Sequence, residues 1–127
     1  MYITVANRPA HGATVVALHG DLGVDSAPQL RTLLTDLIDR STNRIVVDLG
    51  PLVFCDSIGL SAFVDAHHRC ARAGGYLRLA AAAPFLRQIL AVVGLLGPIA
   101  VYDTVPAACA GDTSRLTMAP DSLRRPR

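Results

Sequence analysis

Ser57 is the side chain of this sequence with the most chemistry within its reach. It lies in Phe54-Cys55-Asp56-Ser57-Ile58-Gly59-Leu60, an acid-flanked hydroxyl at the point where a helix is expected to start. A serine there can attack an acyl group or accept a phosphate. Attack needs a base within hydrogen-bond reach. The Gly-x-Ser-x-Gly elbow of serine hydrolases is absent, and the histidines on offer are His11, His19, His67 and His68. His67 would lie ~15 Å along the same helix, too far to take the Ser57 proton. His11 and His19, in a turn and at a strand end, would reach it only if the fold brought them there. Neighbours such as His67 and His68 diverge by ~100° around a helix and cannot chelate one metal. The chain has no lysine, which excludes a Gly-x-x-x-x-Gly-Lys-Ser/Thr phosphate loop. Neither a metal nor a cofactor is expected, and the sequence does not read as an enzyme.

Accepting a phosphate asks less of the surroundings. A phosphoserine carries about −1.5 to −2 charges, and a helix start offers it free N–H groups and the positive end of the dipole. The fold should tolerate it. A partner surface fitted to a neutral hydroxyl beside Asp56 would not, since uncompensated like charge at an interface costs on the order of several kcal/mol. The plainer reading of Asp56-Ser57 is a helix cap and nothing more, because Asp and Ser are both favoured there.

The elements that must position Ser57 follow from periodicity. Arg44 to Leu49 is a short β-branched run closed by Gly50-Pro51, which predicts a buried strand and a turn. Leu60, Phe63, Val64, His67 and Ala71 recur at helical spacing, predicting a helix from about Ser57 to Ala73 with Gly74-Gly75 as its stop. Upstream, Met1 to Asn7 and Thr14 to His19 read as strands joined in a hairpin through residues 8–12. Leu30, Leu33, Leu34, Leu37 and Ile38 form one apolar face of a helix capped by Ser26. Downstream come a strand over Tyr76 to Ala80, a helix carrying Phe85, Leu86, Ile89, Leu90 and Val93, a strand over Ile99 to Tyr102, and a short helix over Val105 to Ala110. The sum is an α/β layer of about five strands, mostly parallel with an antiparallel edge hairpin, packed against about four helices.

Composition limits the alternatives. A chain of 127 residues, 51% hydrophobic and 17% charged, fits one globular domain that needs no metal or disulfide. All 12 basic residues are Arg and all 10 acids are Asp; residues 111–127 hold four Arg against two Asp, which is the whole net charge of +2. Residues 1–110 therefore balance, and with 5% aromatics a nucleic-acid surface has no support. Residues 111–127, with Pro120 and Pro126 and no hydrophobic period, read as a disordered tail. Cys55, Cys70 and Cys109 suggest neither a disulfide framework nor a metal site. No signal peptide or membrane span is read, so a cytoplasmic location is expected.

Asp48-Leu49 followed by Leu52-x-Phe54-x-Asp56-Ser57-x-Gly59-Leu60 resembles the signature of the STAS domain as found in bacterial anti-sigma factor antagonists. Gly20-Asp21-Leu22 with Ser26-Ala27, Gly74-Gly75 and Val93-Gly94-Leu95 extend the resemblance over residues 1 to about 110. The resemblance implies a STAS-type fold and a partner-switching regulator. In that family the serine at the place of Ser57 is phosphorylated by an anti-sigma factor that is also a serine kinase using Mg-ATP. The unmodified protein binds that kinase and frees a sigma factor, and a phosphatase reverses the modification. By the same resemblance Asp21, Asp25, Asp56, Ser57, Ile58 and Gly59 would form the partner surface, with Gly59 admitting the partner's backbone and Leu60 anchoring the helix in the core.

Two positions depart from the family's pattern. Gly23 stands where an acid is usual; Asp25, which in an extended segment would face the same side ~6.6 Å displaced, either substitutes for that acid or merely precedes the Ser26 cap. Ile58 stands where a second hydroxyl is common, and reads either as an apolar partner contact or as packing under a loop. These departures also fit a STAS module working constitutively in a lipid-transport or stress-sensing assembly, without phosphate on Ser57. A serine hydrolase is a third reading, which labelling of Ser57 by a serine-reactive phosphonate would support.

Overall fold

The computed structural model describes residues 1–93 and 99–118. Among these residues seven strands form one mixed sheet: β1 (Tyr2–Arg8), β2 (Ala13–Leu22), β3 (Arg44–Asp48), β4 (Leu52–Cys55), β5 (Tyr76–Ala80), β6 (Val101–Tyr102) and β7 (Leu116–Met118), in the order β1-β2-β3-β5-β6-β7 with β4 also paired to β2. The inner pairs β2/β3, β3/β5 and β5/β6 are parallel, as is β2/β4, while β1/β2 and β6/β7 are antiparallel. Four helices, α1 (Ala27–Asp39), α2 (Ser57–Arg72), α3 (Pro84–Val93) and α4 (Val105–Ala110), complete the expected α/β layer with its antiparallel edge hairpin.

The sheet is covered on both faces, which explains why Ile45-Val46-Val47 is apolar without alternation. Ile45 and Val47 join Val16, Leu18, Leu77 and Leu79 under α1, α2 and α3, where Leu30, Leu34, Phe63 and Leu86 are almost fully buried. Val46 points the other way, to Val15, Ala80, Tyr102 and the small residues of α4. Arg78 fastens α4 to this face: its guanidinium lies 3.6 Å over the Tyr76 ring and donates to the Ala108 carbonyl at 2.8 Å.

Two strands were not expected. Leu52–Cys55 follows the anticipated turn, where Leu52 N–H donates to Leu49 O at 3.1 Å, and becomes β4 because β2 outruns β3. β3 pairs with β2 only through Thr14 to Ala17, leaving Gly20 to Leu22 free to pair with a second parallel neighbour. The other addition corrects the expected tail. Asp112 caps a 3₁₀ turn over Thr113–Arg115, and Leu116–Met118 then pairs with β6, with Leu116 packed on the α4 side of the sheet. A two-residue β6 would otherwise present an unpaired edge. Gly94 and Leu95 of the expected motif, and residues 119–127, lie outside the described residues.

Candidate functional site

Three segments meet where β2 ends. Leu22 O accepts from Asp56 N–H at 3.1 Å, joining the end of β2 to the start of α2, and Leu22 pairs with Cys55 of β4. The intervening turn, residues 23–26, leads into α1. A Cβ placed on Gly23 would stand 3.0 Å from Asp56 Oδ2 and 3.9 Å from Phe54 Cε2, so turn, strand and helix start are in contact.

Asp56, not Ser57, is the cap. Its Oδ1 accepts from Gly59 N–H at 2.9 Å and its backbone O from Leu60 N–H at 3.0 Å. Ser57 is therefore the first residue of α2, exposed, and its hydroxyl makes no hydrogen bond among the described residues. The N–H groups of Ser57 and Ile58 have no carbonyl four residues back inside the helix, which leaves the first turn with donors facing outward beside the hydroxyl. A freely rotating acceptor hydroxyl, orphan donors and a positive helix end are what a phosphorylated serine needs to be held without disturbing the fold.

The other expected residues separate into surface and interior. Asp21 and Asp25 are exposed, Asp56 is half-buried, and none of the three has an ion-pair partner among the described residues. Ile58 is 46% exposed. Gly59 is buried. A Cβ there would lie 2.7 Å from Leu22 Cγ and 2.9 Å from Leu22 O, so the missing side chain lets α2 settle on the end of β2. Leu60 is in the core as anticipated. Residues 23–26 form a turn in which Gly23 O accepts from Ser26 and Ala27 N–H, so the extended path that would have placed Asp25 as a stand-in for Gly23 does not exist. Ser26 holds the N-cap position of α1 as expected, but its hydroxyl accepts from Gly23 N–H and donates to Asp21 O, both at 2.9 Å, bracing the turn without a side-chain bond to the helix.

Sequence reasoning missed the exposed apolar residues on the segments that meet here. Val24, Val53 and Phe54 are 60%, 67% and 50% exposed. In β4 the burial runs buried, exposed, exposed, buried, so no alternation marks Val53 and Phe54 as surface residues. Beside them Cys55 is buried and donates to Asp56 O at 3.5 Å. Burial first, and the Asp56 charge second, push its thiol up to about 12, so it stays protonated and is no nucleophile. Among the described residues, no group of His, Cys and Asp side chains is placed to hold a metal, and no helix is long and apolar enough to cross a membrane.

The model of the STAS domain family matches residues 2–108. The chain belongs to the STAS domain family. BtrV of Bordetella bronchiseptica, assigned as an anti-sigma factor antagonist, is 28% identical to this STAS domain over 99 residues, 78% of this chain and 85% of its own. An anti-sigma factor antagonist from Mycobacterium paratuberculosis superposes with a TM-score of 0.77 at 23% identity, over 87% of this chain and 92% of that one. The Bacillus antagonist SpoIIAA is similar in its unphosphorylated form (TM-score 0.67, 18% identity, 89% and 98% covered) and in its phosphorylated form (0.63, 19%, 84% and 96%).

Proposed function

We propose that this STAS domain is an anti-sigma factor antagonist in which Ser57 is the switch. The unmodified protein binds an anti-sigma factor that is also a serine kinase and so releases a sigma factor; phosphate on Ser57 ends that binding, and a phosphatase restores it. The domain acts by binding, not by catalysis, and works in the cytoplasm. The observation that carries this reading is the setting of Ser57: an exposed hydroxyl, uncommitted among the described residues, on the first turn of α2, where the segments that meet carry the exposed Val24, Val53, Phe54 and Ile58 and the carboxylates of Asp21, Asp25 and Asp56, none of them ion-paired among the described residues. Apolar surface of this kind supplies affinity when a partner covers it. The carboxylates set its sign, and a phosphate among them adds like charge where the partner must close. The relatives named as antagonists support the same reading.

Pull-down with the Ser57→Ala and Ser57→Asp proteins as paired baits tests it. Ser57→Ala is expected to retain an anti-sigma factor that Ser57→Asp does not. Equal capture by both baits contradicts the switch, and a stable partner without kinase activity held by both favours a constitutive subunit.

A further inference from the structure

The long edge of the sheet carries none of the features that keep protein edges apart. β1 runs for seven residues and pairs with β2 along its whole length, Tyr2↔His19 through Arg8↔Ala13, with no shift of register. Among the described residues, its outer side is an unpaired row of backbone donors and acceptors. Edges of this kind are usually blunted by charged side chains, proline, a bulge or a short strand. Residues 2–7, Tyr-Ile-Thr-Val-Ala-Asn, contain no charge and no proline, whereas the opposite edge, β7, has three residues. Val5 lies across from the fully buried Val16 yet is 46% exposed, because none of the described residues covers the core at this border.

We propose that β1 is a self-association surface, and that its occupant is β1 of a second copy, extending the sheet antiparallel across a two-fold axis. The strand is suited to pairing with itself. A two-fold perpendicular to the sheet at Val5 aligns all seven residues of each copy: Val5 faces Val5, Thr4 faces Ala6, Ile3 faces Asn7, and Tyr2 faces Arg8. Side chains on one face stay on one face, as antiparallel pairing requires. Val5 and Ile3 lie on the side of α1 and α2, since their partners Val16 and Leu18 belong to that core, so the paired valines would close the open border of both copies at once. On the other side, Arg8 is the one charged residue of β1 and has no ion-pair partner among the described residues. In this register it meets Tyr2 of the second copy, whose ring is 62% exposed and already stacked on His19 at 4.2 Å. A guanidinium over an aromatic face is attractive, and the pairing occurs twice by symmetry. β4 and the start of α2 lie on the opposite flank of β2, so the Ser57 surface stays open in both copies. The inference does not rest on the proposed switch.

Sedimentation velocity of the whole protein over a range of concentrations is the first measurement, and a concentration-dependent dimer is expected. Val5→Lys should yield a monomer with unchanged circular dichroism and melting temperature. Mild oxidation fixes the register. Cysteines facing each other across antiparallel strands fall within bridging distance, so Val5→Cys should give a covalent dimer. Tyr2→Cys should not, since the two Tyr2 positions would stand ~20 Å apart. The native cysteines are buried and should not interfere. A monomer at every concentration overturns the proposal, as does dimerisation that survives Val5→Lys. Equal cross-linking of Tyr2→Cys and Val5→Cys overturns the pairing. A monomer that pairs β1 with a strand of another protein also contradicts it.

Discussion

Asp56 closes the first turn of α2 with its Oδ1. Under the proposed function its charge also belongs to the partner surface, and substitution separates the two roles. Asp56→Asn keeps an oxygen for Gly59 N–H and should hold stability to within about 0.5 kcal/mol, while Asp56→Ala should lose about 1 kcal/mol in urea unfolding. If Asn weakens partner binding as much as Ala does, the charge matters to the partner beyond the cap. Gly23→Asp would restore the acid that the family pattern expects, but its Cβ would arrive 3.0 Å from Asp56 Oδ2 and bring a second carboxylate beside the first. It should therefore lower stability, more at low than at high salt. At this scale the sequence was partly legible. Ser57 and Asp56 announced themselves by type and spacing; which of them caps, and that Gly59 faces Leu22, depended on the path of β2, which local sequence does not contain.

α2 and its neighbours set the energetics at the scale of elements. Gly59→Ala forces a methyl group onto Leu22 Cγ and the Leu22 carbonyl, and overpacking of this kind costs roughly 1–3 kcal/mol, more than the helix propensity gained. A fall in the urea midpoint, with an unchanged slope, checks it. At the other end of α2, Gly74 has a φ of +80°, and Gly75 passes so close to Asn43 that a Cβ would lie 1.9 Å from its carbonyl oxygen, giving the anticipated helix stop a second, steric reason. Between these ends, among the described residues, His67 has a buried Nδ1 with no hydrogen-bond partner. Burial first, then the neighbouring His68, hold its imidazole below the usual 6.5, against a smaller upward pull from the backbone at Leu77. The unfolded chain takes up that proton near pH 6.5 and the folded chain only at lower pH, so stability is intact above 6.5 and declines beneath it. Melting temperatures between about pH 7.5 and about pH 5.5 should show the decline, and His67→Leu should flatten it. α1 and α2 were legible because their apolar residues keep helical spacing over three or more turns. β4 was not, since four residues after Gly50-Pro51 show no alternation and pair only because β2 overshoots β3.

For the whole molecule, the sheet separates its surfaces. α1 and α2 rest on one face and α4 on the other, the edge strand β1, uncharged but for Arg8, lies on one flank of β2, and β4 with the start of α2 lies on the opposite flank. The α/β layering followed from the order of periodic segments, whereas the closing strand β7 was hidden in a stretch without hydrophobic period and exists because β6 needs a neighbour. A switch built on this frame must act at the surface and leave the fold alone. Phosphate on Ser57 should shift the melting temperature little, or upward, because it meets the open donors of α2.

The most direct test is titration calorimetry of the purified anti-sigma factor against the unmodified protein and against protein carrying one phosphate on Ser57, located by mass spectrometry. Tight binding by the unmodified form, and loss of at least about a hundredfold in affinity for the phosphorylated form with no change in its circular dichroism, is the predicted result. Equal affinity for both forms would contradict the account.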